Sequence, residues 1–236
     1  MNFKKFFGLA LVLLTISPAA HAVSWKGIFI AGDDSIDNFD NGREDLTAIF
    51  SRKGTLASTQ QLSSSDKFIG RDVVEANSQN LINAFGKLGI KAGEGCFIHM
   101  TSHGAKGQGF YLSRAGVLPP ASLAALVNRA CGQAPTVILV SACYSGQFIA
   151  EELKGPNRVI LTAARADRPS FGCSADTRYT YWDECVLSEV PNSQTWKDLY
   201  TNVNACISGK ESQLGANPSG PQAYFGANTA NWAILH

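Results

Sequence analysis

The sequence predicts an α/β protein with a mostly parallel central sheet covered by helices on both faces. Three observations lead there. Short apolar runs such as Gly27-Ile28-Phe29-Ile30-Ala31 and Thr136-Val137-Ile138-Leu139-Val140-Ser141-Ala142 are continuous rather than alternating, which suits strands covered on both sides. Stretches with apolar residues at helical spacing separate these runs. The strand–helix–strand order then repeats along the chain, and that order implies parallel pairing.

Taken in order, Gly27 to Ala31 is a buried strand, and Leu46, Ile49, Phe50 and Lys53 follow helical spacing. Leu56 to Leu62 is a weaker strand signal. Leu81, Ala84, Phe85 and Leu88 give an i, i+3, i+4, i+7 face, and Gly89 ends that helix. Cys96 to Ser102 is the next strand. Pro119 and Pro120 open a helix whose apolar face carries Leu123, Leu126 and Val127. After the strand Thr136 to Ala142, Gln147 to Leu153 is expected as a short helix and Val159 to Ala163 as a further strand. The final third is less regular: Trp196 to Ile207 reads as a helix, Gly215 to Pro221 as a loop, and Gln222 to Phe225 as an edge strand.

Bulk properties narrow the class. A chain of 236 residues fits one medium-sized domain after processing, expected over residues 23–236. With 45% hydrophobic and 17% charged residues it has a globular balance rather than a disordered one. Its net charge of +1 gives no reason to expect nucleic acid or an anionic membrane as partner. Residues 1–22 read as a signal peptide: Lys4 and Lys5 are the basic start, Phe6 to Ile16 the apolar centre, and Ala20-His21-Ala22 the small-residue site, with cleavage before Val23. That apolar centre is too short for a stable membrane anchor. No Cys follows the cleavage site, so a lipoprotein reading is unsupported. A secreted or periplasmic location is expected.

Six cysteines remain: Cys96, Cys131, Cys143, Cys173, Cys185 and Cys206. In an oxidising compartment most should pair, and if one is a catalytic thiol at least one other is left free. Cys96 begins the strand that ends at His103, and Cys131 ends the helix that feeds the strand ending at Cys143. If those strands are neighbours, both residues lie at the amino-terminal edge of the sheet, so a Cys96–Cys131 disulfide is expected. Cys185–Cys206 is favoured as the second pair, because Cys173 lies in a segment that reaches toward the active site.

The chemistry-bearing residues occupy equivalent places. His103-Gly104 follows the strand Cys96–Ser102, and Cys143 follows the strand Thr136–Ala142. Ligands of open parallel sheets bind at the carboxyl ends of strands, so imidazole and thiol should meet in a crevice at one edge. A thiol is a strong nucleophile as thiolate, and a nearby imidazole can take its proton and later protonate a leaving amine. Gly104, lacking Cβ, lets a carbonyl approach its N–H, which with the N–H of Cys143 could form an oxyanion hole. Either residue alone would more often be packing than catalysis; their joint placement is what argues for chemistry. His99, inside its strand, reads as a core histidine.

The apolar run, His-Gly, apolar run, Ala-Cys pattern resembles the caspase-like cysteine peptidases. It is most similar to the legumain family of asparaginyl endopeptidases, which includes the catalytic subunit of the GPI transamidase and bacterial secreted members. The similar segments are Ile28-Phe29-Ile30-Ala31-Gly32, Thr101-Ser102-His103-Gly104, Ser141-Ala142-Cys143-Tyr144-Ser145-Gly146, Leu161-Thr162-Ala163-Ala164-Arg165 and Ser170-Phe171-Gly172-Cys173. The resemblance implies a caspase-like three-layer α/β/α sandwich, Cys143 as nucleophile, His103 as general acid/base, Gly104 and Cys143 as oxyanion donors, a protein or peptide substrate, and no metal or organic cofactor. The chain departs from legumains where an Arg-His pair helps build the pocket for the residue before the scissile bond. Asn41-Gly42 stands there, with Arg43 adjacent. The long C-terminal prodomain of the animal and plant enzymes is not matched. Asp176 aligns with an acid that binds the asparagine amide. Cleavage after Asn or a basic residue is therefore expected, and poor cleavage after Asp. Two alternatives use the same scaffold: a transamidase or peptide ligase, in which an amine resolves the acyl-enzyme, and a non-enzymatic binding module.

Overall fold

The structure is a computed structural model that describes residues 23–52 and 56–234. The expected leader over residues 1–22 lies outside the described residues. The chain runs through β1 (Ser24–Ala31), α1 (Asn38–Arg52), β2 (Leu56–Ser63), β3 (Val73–Glu75), α2 (Ser78–Lys87) and β4 (Glu94–Thr101). Three short strands follow, β5 (Gly104–Ala105), β6 (Gly109–Leu112) and β7 (Gly116–Leu118). Then come α3 (Pro120–Cys131), β8 (Thr136–Ser141), β9 (Arg158–Thr162), α4 (Tyr181–Glu189), α5 (Trp196–Leu214) and β10 (Gln222–Phe225).

Seven strands form one sheet in the order β10-β9-β8-β4-β1-β2-β3, all parallel except the β10 edge. Alternation along each strand divides the core into two layers. Ile28, Ile30, Ile98, Ile138 and Val140 face α2 and α3, where they meet Leu81, Phe85, Leu123 and Val127. Phe29, Phe97, Val137, Leu139 and Leu161 face the opposite way, toward Leu46 and Phe50 of α1, Trp182 and Val186 of α4, and Trp196 and Leu199 of α5. An aromatic stack fills the second layer, with Phe50 4.6 Å from Phe97 and Trp196 5.9 Å from Phe97. Each such ring, buried from water, contributes about 1.5–3 kcal/mol. The result is the caspase-like three-layer α/β/α sandwich that the resemblance implies.

Local chemistry fixes the helix ends. Asn77 accepts from the Asn80 N–H to start α2, and Thr195 with Asp198 forms a reciprocal capping box at the start of α5. Gly215 at φ 62° ends α5 in the left-handed conformation, so this helix runs beyond the expected Ile207. One disulfide ties the sheet to a helix layer and the other ties two helices within a layer: Cys96–Cys131, with Cα atoms 6.0 Å apart, joins the start of β4 to the end of α3, and Cys185–Cys206, at 5.9 Å, joins α4 to α5.

Three features differ from the sequence expectation. The segment after Cys143 is a 3-10 turn, Ser145–Phe148, followed by turns, rather than a helix over Gln147 to Leu153. A separate antiparallel sheet, β5-β6-β7, stands at the exit of β4. Helix α4 occupies part of the segment read as irregular.

Candidate active site

The chain begins at β1, moves outward to β3, and returns on the other side of β1 through β4. The order therefore reverses between β1 and β4, and a crevice opens at their carboxyl ends. Three of the chain's polar groups emerge there from adjacent strands: Asp33 after β1, His103 after β4 and Cys143 after β8.

The loop that carries Cys143 is held in an unusual shape. Tyr144 adopts φ 57°, ψ 18°, the left-handed region. A residue with a Cβ gives up about 1–2 kcal/mol there. The neighbours fix this turn. The Tyr144 N–H donates to Arg168 O at 2.8 Å and the Gly146 N–H to Ala164 O at 2.8 Å, while Ser145 Oγ accepts from the Ala164 N–H at 3.0 Å. A Cβ on Gly146 would come within 2.9 Å of Ala164 O, so only glycine lets the exit loops of β8 and β9 approach this closely. The run Tyr144-Ser145-Gly146 is thus the weld that presents Cys143.

Cys143 is half-buried. Its Sγ accepts from the Ser170 N–H at 3.3 Å and lies 3.7 Å from Ser170 Oγ and 3.6 Å from Ser170 O. Among the described residues the Cys143 N–H donates no hydrogen bond. Gly104 packs directly on the Cys143 peptide: a Cβ on Gly104 would overlap the Cys143 carbonyl oxygen and lie 2.8 Å from its carbonyl carbon. The backbone beside His103 therefore touches the backbone of Cys143.

His103 is 43% exposed at its side chain, and its ring stands nearly perpendicular to the buried Phe39 ring, with centroids 5.0 Å apart. Its Nε2 stands 3.9 Å from Asp33 Oδ1, ion-pair range but longer than a hydrogen bond. Asp33 is nearly buried, and its Oδ1 accepts from both the N–H and the hydroxyl of Ser35. Sequence reasoning missed Asp33. The available signal was an acid directly after the first strand's Ala31-Gly32, at the edge where His103 and Cys143 emerge.

The other candidate residues are placed differently. Arg43 is buried within α1, where it pairs with Asp40 Oδ1 at 2.9 Å and hydrogen-bonds Gln61 Oε1. Ser63 Oγ donates to the other Asp40 oxygen. Burial pushes the Asp40 carboxyl above the usual range, opposed by Arg43. The Asn41 side chain donates to Arg178 O at 3.0 Å. Asp176 lies exposed in the loop after Cys173, without an ion pair among the described residues. His99 is fully buried and bonds Asp183 Oδ1 at 3.1 Å, while Thr101 donates to Asp183 Oδ2 at 2.6 Å. This polar triplet ties β4 to α4 beneath the site.

Cys143 and Cys173 are the two free cysteines among the described residues. Burial pushes the Cys173 thiol up to about 12, with a further contribution from Cys143. No group of three or more His, Cys, Asp or Glu among the described residues could hold a metal ion, and no helix among them is long and apolar enough to cross a membrane.

No individual curated protein matches this sequence. The profile of the Peptidase C13 family matches residues 65–225, a span that takes in His103, Cys143 and the strands that carry them. With its parallel three-layer sandwich and a thiol and an imidazole at one sheet edge, the chain belongs to the peptidase C13 family, the legumain-like cysteine peptidases.

Proposed function

We propose that the chain is a secreted cysteine endopeptidase in which Cys143 is the nucleophile and His103 the general acid/base. The observation that supports this reading is the packing of Gly104 on the Cys143 peptide, which sets the loop that carries His103 against the loop that carries Cys143. His103 takes the thiol proton as sulfur bonds to the scissile carbonyl carbon, and the carbonyl π electrons move to oxygen. The N–H groups of Cys143 and Gly104 receive that oxyanion; the unengaged Cys143 N–H supports this role. Collapse breaks the C–N bond, and His103 protonates the leaving amine. Water, giving a proton to His103, then releases the acyl group as a carboxylate and restores the thiol.

Asp33 supports the scheme as a carboxylate that steadies the imidazole. The two disulfides and the leader-like residues 1–22 support secretion. Cleavage after Asn or a basic residue is favoured by the carboxylates of this region, Asp33, Asp34 and Asp176. Arg43 is committed to Asp40, so it does not offset them. The test is cleavage profiling of a peptide library by the purified chain, with Cys143→Ala and His103→Ala as controls. Both variants should fold and lose turnover, and near-normal hydrolysis by either would sink the assignment. Adding an amine during profiling separates hydrolysis from transamidation by the products formed.

A further inference from the structure

Ser170, which contacts the thiol, sits between two residues that open onto a pocket. Arg168, Pro169, Phe171, Asn217 and Pro218 line an open pocket of about 490 Å³ on the loop that Ser170 joins to Cys143. The pocket is bound to the nucleophile loop: Arg168 O accepts from the Tyr144 N–H, and the Ser170 N–H donates to Cys143 Sγ. Its far wall, Asn217 and Pro218, leads into β10, which pairs antiparallel with β9 and so starts at the same sheet edge.

Arg168 is the charged group of this pocket. It is half-buried, and Nη1 donates to Pro218 O at 2.8 Å. No carboxylate lies within ion-pair distance of it among the described residues. The acids nearby have other partners. Arg165 holds Asp167 through two bonds, at 2.8 and 3.0 Å, and Glu211 is buried, accepting from the Ser219 N–H at 2.7 Å. One Nη1 bond leaves most of the guanidinium's five N–H donors for a ligand. The Phe171 ring and two prolines supply the apolar wall against which a side-chain stem can lie.

Charge along the edge is polarised. Asp33, Asp34 and Asp37 lie beyond β1, on one side of Cys143, and Arg165 and Arg168 lie beyond β9, on the other. Asp37 is paired with Lys67 and Arg165 with Asp167. Among the described residues, the groups without an ion-pair partner of opposite fixed charge that a peptide crossing the thiol meets are therefore the Asp33 and Asp34 carboxyls at one end and the Arg168 guanidinium at the other.

We propose that the pocket of Arg168, Pro169, Phe171, Asn217 and Pro218 is a substrate subsite that takes an acidic side chain a few residues from the scissile bond. This rests on the peptidase reading and names its substrate class: peptides with Asn or a basic residue at the cut and Asp or Glu nearby. An extended chain advances about 3.3 Å per residue, so a carboxylate about two to four residues from the cut reaches the pocket.

The test uses matched fluorogenic peptides with Glu or Gln at each position within four residues of the cut, and the wild type with Arg168→Ala, Arg168→Lys and Arg168→Glu. At one position the wild type should prefer Glu over Gln by roughly 10-fold in kcat/KM, the scale of a partly exposed charge-assisted hydrogen bond. Arg168→Ala should bring that ratio to near one, Arg168→Lys should retain part of it, and Arg168→Glu should drive it below one. A merely structural role would lower turnover of both peptides and leave the ratio unchanged. Absence of any Glu-preferring position, or a ratio that survives Arg168→Ala, overturns the proposal. Fluorescence anisotropy of the Glu and Gln peptides on Cys143→Ala gives a readout without turnover. Arg168-dependent binding of the Glu peptide, together with a wild type that cleaves none of the peptides, would retain the subsite and refute the peptidase. Cleavage indifferent to Arg168 would do the reverse.

Discussion

Replacing Gly104 by Ala tests how closely catalysis depends on the contact between the β4 and β8 exit loops. Gly104 is absent from the positive-φ positions, so an L-residue can adopt its backbone conformation and the perturbation is steric alone. The added methyl would overlap the Cys143 carbonyl oxygen and stand 2.8 Å from its carbonyl carbon and 3.2 Å from its nitrogen. Carbon atoms settle at about 3.5–4.0 Å, so the carbon contact alone demands a shift of about 0.7 Å, and the oxygen demands more. All three atoms are backbone, so no side chain can rotate away. The loops must part, moving His103 from Cys143 and displacing both oxyanion donors. A misplacement of about 1 Å can cost about 100-fold in rate, and overpacking of this kind costs about 1–3 kcal/mol of stability. For a chain of this length that is a Tm fall of roughly 2–12 °C. The assay is kcat/KM on the best library peptide, with thermal denaturation of the same preparation. The expected result is about a 100-fold loss of kcat/KM in a protein that still melts cooperatively. Activity within threefold of wild type would refute the reasoning, because the two loops would then be free to adjust without consequence.

Asp33→Asn should lower kcat about 10-fold with little change in KM, because the neutral amide removes the charge beside His103 Nε2; an unchanged kcat would remove Asp33 from the mechanism. Iodoacetamide at pH 8 should label Cys143 of the native protein and spare Cys173, whose burial pushes its thiol to about 12. Peptide mass mapping checks this, with Cys173 labelling expected only after unfolding. Cys131→Ser should cost about 3–4 kcal/mol of stability, since Cys96–Cys131 closes a loop with a sequence separation of 35. Urea denaturation measures that loss, and near-normal peptide cleavage is expected to persist below the transition.

The parallel sheet was legible because its strands are covered on both faces, so β1, β4, β8 and β9 read as unbroken apolar runs. Neighbouring placement of β4 and β8 follows from their succession in the chain and puts His103 and Cys143 at one edge. Asp33 was not legible: its relation to His103 depends on β1 lying beside β4, on the opposite side of β4 from β8. Helix α4 was hidden for a similar reason. Trp182, Cys185 and Val186 have helical spacing, but the buried Asp183 interrupts their apolar face, and its partners His99 and Thr101 lie more than eighty residues earlier. The strands of the β5-β6-β7 sheet are too short and glycine-rich to show a period. The expected helix at Gln147 failed because the left-handed Tyr144 and the bond from the Gly146 N–H to Ala164 O set the local path. Arg43 looked open for substrate because the sequence shows its charge and not its burial.

The placement of the sulfur atoms matters for handling the protein. Cys96–Cys131 lies at the amino end of β4, about 20 Å along the strand direction from the edge that carries Cys143. Cys96 is fully enclosed and Cys131 nearly so, whereas Cys143 faces the crevice. Cys185 is likewise enclosed between α4 and α5. A small reductant therefore meets the crevice sulfur before it meets Cys96–Cys131, whereas Cys206 is only partly buried. Low concentrations of a thiol reagent would regenerate an oxidised Cys143 while Cys96–Cys131 stays crosslinked, and only conditions that open the sandwich would expose that bond.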